Sequence, residues 1–293
     1  MTLDLARLER ALARRGRVAR VVVAGVRGSA PREAGAEMLV WPGGQDGTIG
    51  GGALEMEATR GALALLSAGG GPRVERRALG PDLGQCCGGA VTLVTEVLEA
   101  APAAGPRALA LPGASGPAPE GGPTRIERGW LVEEARGPGA PVWIWGAGHV
   151  GRALAGVLAP LRPVTWADVA AGRFPEAIPE GAERVVADLP ALAAHAGRDA
   201  DHLIVTHSHE IDLALCHALL SRGFASCGLI GSGTKWARFR ARLRALGHSE
   251  AAISRIECPI GDPALGRHPQ AIAVGVAAAM LRRAAPVMLR ASA

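Results

Sequence analysis

Tyrosine is absent from this chain of 293 residues, and aromatic residues make up only 3% of it. Stacking platforms for bases are therefore missing, and a formal net charge of +5 does not by itself make a nucleic-acid binder. Anionic small ligands or acidic protein surfaces suit that charge better. Lysine is almost missing too, since Lys235 is the single lysine among 32 basic residues. The five cysteines are an odd number and include no C-x-x-C pair, which excludes a disulfide scaffold and the usual structural zinc spacing. No apolar run is long enough to cross a bilayer; the longest, Ala271 to Leu281, reads as a buried helix. The N-terminal stretch MTLDLARLERALARRGR has leucines at helical spacing and no apolar h-region, so it reads as an amphipathic helix and not as a signal peptide. A cytoplasmic protein with reduced thiols, bound to neither membrane nor nucleic acid, is expected.

With 48% hydrophobic positions, 41 glycines and 21 prolines, the chain can bury two cores joined by many loops. VARVVVAGV (18–26) and EMLVW (37–41) read as strands. The glycines Gly50, Gly51 and Gly52 then open a helix running to about Leu66. Free N–H groups at such a place form an anion nest, while a plain strand-to-helix turn would use the same glycines. In LGQCCGG (83–89), Cys86 and Cys87 sit between glycines. An open loop thiol pair suits soft-metal or sulfur chemistry, and a turn entering a strand at Ala90 is the plainer alternative. Residues 106–139 are rich in proline and glycine and read as a connector with one short strand near Trp130. That gives an N-terminal mixed α/β domain over 1–105 and a second domain over 140–293.

The second domain alternates strands and helices, as a doubly wound parallel sheet of Rossmann type would. VWIW (142–145) leads into a G-x-G-x-x-G at Gly146, Gly148 and Gly151, and Asp168 follows where a dinucleotide fold places the acid for a ribose hydroxyl. At the other strand ends lie His207 in THSHEID, GSGTK with Lys235, and CPIGD. THSHEID is one position out of register for H-x-H-x-D-H, with Ile211 and Asp212 where Asp and His would stand, so zinc is not expected. GSGTK lacks P-loop spacing and reads as an anion contact with Lys235 as a point charge. The arginines at 238, 240, 242 and 244 read as a solvated helix face.

GSAPREAGAEMLV, GTIGGGALE, LGQCCGGAVTL, WGAGHVGRALA, THSHEIDLAL, GLIGSGTKWARFRARL and CPIGDPALGRHPQAIAV occur in this order. Together they resemble the XdhC/CoxI family of xanthine dehydrogenase accessory proteins. The resemblance implies a chaperone, not an enzyme, that binds the molybdenum cofactor (molybdopterin), supports its sulfuration and delivers it to apo xanthine dehydrogenase. A cysteine desulfurase and a cofactor donor protein are the implied further partners, and a homodimer is the expected assembly. On that reading Gly50 to Gly52 take the cofactor phosphate, Gln85 binds an oxo group or the pterin edge, Gly88 contacts the cofactor, and Cys86 and Cys87 lie near molybdenum. Gly146, Gly148, Gly151, Asp168, His207 and Lys235 line the second crevice, with or without a nucleotide. HPQAIAVGVAAAM (268–280) departs from the glutamate-bearing segment common in the family, which takes away a carboxylate role there. The alternative is an oxidoreductase using NAD(P) or FAD in the Rossmann domain, although the chain has no Tyr-x-x-x-Lys pair.

Overall fold

The computed structural model describes residues 3–80, 88–136 and 139–284, and the chain divides into two compact units, Met1–Pro138 and Gly139–Ala293. In the first, β1 (Leu3–Asp4) leads into α1 (Leu5–Arg15), where the Asp4 side chain accepts from the Arg7 amide and Gly16 ends the helix at φ 71°. Then follow β2 (Val18–Arg27), β3 (Glu37–Trp41), β4 (Gly44–Gly47), α2 (Gly52–Ala68), β5 (Arg73–Ala78) and β6 (Ala90–Leu98). These strands form an antiparallel sheet in the order β4-β3-β2-β6-β5.

The near-continuous apolar sequence of β2 is explained by burial on both faces. Ala19, Val21 and Val23 pack with Leu54, Ala58 and Ala62 of α2. Val22 and Ala24 pack with Leu111 and Leu131 on the opposite face. That opposite layer is a second sheet, built from β1, β7 (Gly105–Ala110), β8 (Arg125–Glu127) and β9 (Trp130–Arg136). The segment expected to be a connector over 106–139 thus carries three strands and belongs to the first unit as far as Pro138. Its prolines and glycines concentrate between β7 and β8, where they interrupt a sheet without preventing it.

Arg20, on the same face of β2 as Val22, is fully buried at this inter-sheet layer. Its guanidinium donates to Glu37 of β3, Glu96 of β6 and, through Nη1 and Nη2, to Glu133 of β9. Arg107 of β7 bridges Glu96 and Glu133. Burial pulls the Arg20 guanidinium down, but the three carboxylates outweigh it and raise it above its ordinary value.

The second unit contains β10 (Val142–Trp145), α3 (His149–Leu158), β11 (Val164–Asp168), β12 (Ala182–Val186), α4 (Leu189–Ala193), β13 (Asp201–Ile204), α5 (His209–Arg222), β14 (Ser226–Leu229), α6 (Gly233–Ala245), α7 (Glu250–Ile253), β15 (Ile256–Glu257) and α8 (Pro269–Ala284). All six strands are parallel, in the order β12-β11-β10-β13-β14-β15. Val142 and Ile144 face the layer of α3 and α8, while Trp145 faces that of α4, α5 and α6. This is the doubly wound sheet expected from the sequence. Strand order reverses at β10, so the switch point, where such folds bind ligands, falls between the carboxyl ends of β10 and β13. Among the described residues no helix is long and apolar enough to cross a membrane.

Candidate functional site

In the first unit Gly50, Gly51 and Gly52 all have positive φ, at 128°, 73° and 62°. This turns the chain sharply into α2 and gathers amides at one spot. The gathered amides already have an anion. Glu55, in the first turn of α2, accepts from the amides of Ile49 (3.1 Å) and Gly51 (3.0 Å), from the Thr48 hydroxyl (2.5 Å) and from Gln45 (2.6 Å). The Gly50 amide donates to Thr48 Oγ1. Burial would raise the Glu55 carboxyl, yet bonds from Thr48, Gly51, Gln45 and Ile49 hold it below its usual range. A phosphate arriving here would meet a carboxylate, so the structure corrects the phosphate role expected of Gly50, Gly51 and Gly52.

The loops around this turn are packed against one another. A Cβ on Gly50 would lie 2.5 Å from Pro31 Cγ, and one on Gly89 would lie 2.1 Å from the Ser29 carbonyl oxygen. Gly88 bridges Ser29 as a short parallel pair, and its own Cβ position is open. GSAPREAG is therefore clasped between the glycine turn and the end of the cysteine loop. Gln85, Cys86 and Cys87 lie outside the described residues.

The glycines of the second unit divide by role. Gly146 has φ 121°, and a Cβ there would stand 2.6 Å from the Val205 carbonyl oxygen. One on Gly151 would stand 1.9 Å from the Gly146 carbonyl oxygen. These two glycines serve helix-to-strand packing. Gly148, which caps α3 at φ −74°, has no atom within 4 Å of a built Cβ. No contact with the described residues requires glycine there, and the backbone at Gly148 is open.

Asp168 is placed differently from the ribose contact expected of it. It is 1% exposed and accepts from the amides of Ala147 (2.6 Å) and Val169 (2.7 Å) and from Arg173 Nε (3.0 Å). Its carboxylate braces the glycine loop from behind. Lys235 also turns inward. Its Nζ donates to Asp212 Oδ2 (2.6 Å) and the Ile230 carbonyl (2.9 Å), and it lies 5.2 Å from the Phe239 ring centroid. Asp212, fully buried, accepts from the Thr206 hydroxyl and amide as well. The motif THSHEID therefore supplies an internal lock, with Ser208 capping α5 and His207 and His209 on the surface. Lys235 as an open anion contact is corrected accordingly.

Among the described residues no group of three His, Cys, Asp or Glu side chains could hold a metal ion. Burial pushes the Cys258 thiol up to about 11 and also raises those of Cys216 and Cys227, which disfavours their thiolate forms.

Beyond these inward-turned groups a crevice of about 610 Å³ opens, lined by Val150 of α3, Gly231 to Gly233 at the start of α6, and the loop after β15, including Asp262 and Arg267. Of the residues expected to line it, Gly146, Gly148, Gly151, Asp168, His207 and Lys235 are not among its lining residues; the strand-end segments GSGTK and CPIGD reach it through Gly231 to Gly233 and through Pro259, Ile260 and Asp262. Arg267 was not singled out, and its only sequence signal was membership of the GDPALGRHP loop at a strand end.

Residues 142–280 match the family profile described as the XdhC Rossmann domain, and residues 11–76 match that of the XdhC and CoxI family. The chain belongs to the XdhC and CoxI family. Its second unit is the XdhC Rossmann domain, and the glycine turn and α2 of its first unit fall within the XdhC and CoxI profile. A solved structure from Bacillus halodurans, described as a xanthine dehydrogenase, is 19% identical and superposes with a TM-score of 0.68 over 99% of this chain and 98% of that one. At that identity the likeness concerns the fold. No curated protein matches the chain.

Proposed function

We propose that this XdhC-family chain is a non-catalytic maturation factor for xanthine dehydrogenase: it binds the molybdenum cofactor, shields it, supports its sulfuration and passes it to the apo-enzyme. The carrying observation is the Rossmann crevice, which reaches α3 at Val150, two residues along the chain from the open backbone at Gly148. A pterin with a phosphate needs apolar walls, a stretch of open backbone and a cation, and the crevice offers Val150, Ile230 and Ile272, the open backbone at Gly233, and Arg267. The glycine turn of the first unit does not fit, because Glu55 occupies it. When bound, the cofactor supplies molybdenum and dithiolene chemistry; the chain itself binds, orients and excludes water. Cys86 and Cys87 are the thiols suited to handling the terminal sulfur, with a cysteine desulfurase as its donor. A dinucleotide-dependent oxidoreductase is the weaker reading, since the acid that would hold the ribose, Asp168, is already engaged three times.

The test is reconstitution. Apo xanthine dehydrogenase is incubated with cofactor in the presence and absence of the protein, and of its Cys86→Ala/Cys87→Ala variant. Faster activation by the wild type, lost in the double variant while cofactor stays bound, is the expected result. Activation at the same rate without the protein ends the proposal.

A further inference from the structure

With Asp168 and Lys235 drawn into the fold, the charged side chains left on the crevice wall are Asp262 and Arg267. Both stand on the loop between β15 and α8, and that loop is pinned. A Cβ on Gly275 of α8 would lie 2.8 Å from the Asp262 amide nitrogen, and one on Gly261, at φ 77°, would lie 3.2 Å from the Ile272 carbonyl oxygen. Loop and helix are thus in backbone contact, and the two side chains are presented from a fixed base. Arg267 is exposed, is the one cation lining the crevice, and has no partner among the described residues. Asp262 Oδ1 accepts from the Ala264 amide at 2.9 Å, which orients the carboxylate and leaves Oδ2 without a partner among the described residues.

A guanidinium fork complements a phosphate. An ionised carboxylate only accepts, so it selects an edge offering adjacent donors. The ring N–H and amino group of a 2-aminopyrimidin-4-one, present in pterins and guanine alike, form such an edge. Adenine alternates a donor with an acceptor on the corresponding edge, and the acceptor would face the carboxylate. We propose that this crevice reads a phosphate-bearing 2-aminopyrimidin-4-one, Arg267 taking the phosphate and Asp262 the ring edge. The proposal deepens the cofactor-binding reading and rests on it, because the molybdenum cofactor carries both groups.

Calorimetric titration of the full chain with neopterin monophosphate, GMP and AMP tests it. Neopterin monophosphate and GMP should each bind at least about tenfold more tightly than AMP, and their ratio tells whether a pterin or a guanine is preferred. Asp262→Asn keeps an acceptor for the Ala264 amide and should bring GMP and AMP to within about twofold of each other. Arg267→Gln should weaken all three phosphates by about tenfold and leave their order unchanged. Both residues are exposed, so melting curves should be unchanged. Equal binding of GMP and AMP by the wild type, no binding of any probe at millimolar concentration, or selectivity surviving in Asp262→Asn would overturn the proposal. Cofactor retention measured on the same preparations separates the two ideas: retention without ring selectivity discards this subsite alone, and ring selectivity without retention supports the subsite and discards the maturation role.

Discussion

Two glycine turns, Gly50 to Gly52 in the first unit and Gly146 to Gly151 in the second, each open a helix. In the first, the gathered amides are filled by Glu55, a carboxylate six residues after Ile49 and four after Gly51. In the second, the nearby carboxylate, Asp168, braces the loop from the buried side and leaves Gly148 bare toward the solvent. The same sequence device thus closes one turn and keeps another open. What separates them is where the nearest carboxylate stands. Positions turned inward should cost stability when changed, and positions turned outward should cost only binding.

The largest effect is expected at the Lys235–Asp212 lock. The lysine side chain is 10% exposed and the aspartate fully buried. Lys235→Met leaves a buried carboxylate without its cation, a change of about 3–5 kcal/mol. Denaturant unfolding should show it as a fall in midpoint. A loss below 1 kcal/mol would mean that the lysine faces a ligand after all. Next comes Gly151→Ala. Alanine in a helix interior normally gains up to about 1 kcal/mol over glycine, but here its methyl would overlap the Gly146 carbonyl oxygen. Overpacking of about 1–3 kcal/mol should win, so the variant melts lower, and a higher melting temperature would refute the packing role.

How much of this could be read from the residues follows from the range of each interaction. The parallel sheet was legible because its strands are short apolar runs alternating with helices, a local pattern. The second sheet of the first unit was not, since β7 and β9 are separated by a proline- and glycine-rich stretch that looks like a linker, and their pairing is settled only by the inward face of β2. The glycine loops were legible as turns. Their occupancy was not, because it depends on which carboxylate or hydroxyl arrives, as Glu55 does locally and Asp168 does from the next strand. Lys235 looked like an anion contact for the same reason: its partner, Asp212, is 23 positions away. Arg20 did carry a signal, a charge set among the apolar residues of β2, but its three carboxylates come from β3, β6 and β9. Cys86 and Cys87, the most conspicuous residues in the sequence, lie outside the described ones.

A smaller effect separates the closed turn from its surroundings. Glu55→Gln keeps the shape but removes the charge that Ile49, Gly51 and Thr48 bind, at a cost of about 0.5–2 kcal/mol, as for other helix caps. Its folded carboxyl lies below the ordinary value, so its contribution is complete above the unfolded value of about 4.3. That contribution disappears as pH falls through the folded value. Melting temperatures of wild type and variant should therefore differ at pH 7 and converge in acid. Curves that stay parallel through the acid range would remove the carboxylate from the account.

The smallest change in stability, and the sharpest contrast with Gly151, belongs to Gly148→Ala. Its φ of −74° suits any residue, and no atom lies within 4 Å of the added methyl. Stability should stay within about 0.5 kcal/mol of the wild type. Binding should not, because a ligand brought against the bare backbone meets the methyl group directly. Neopterin monophosphate titrated against both proteins is expected to show a loss of about tenfold or more, with superimposable melting curves. A variant that binds as well as the wild type would place the ligand away from Gly148, and the open turn would then be as idle as the closed one. A variant that melts early would show instead that Gly148 is packed, and the division between inward and outward glycines would fail at the residue that best defines it.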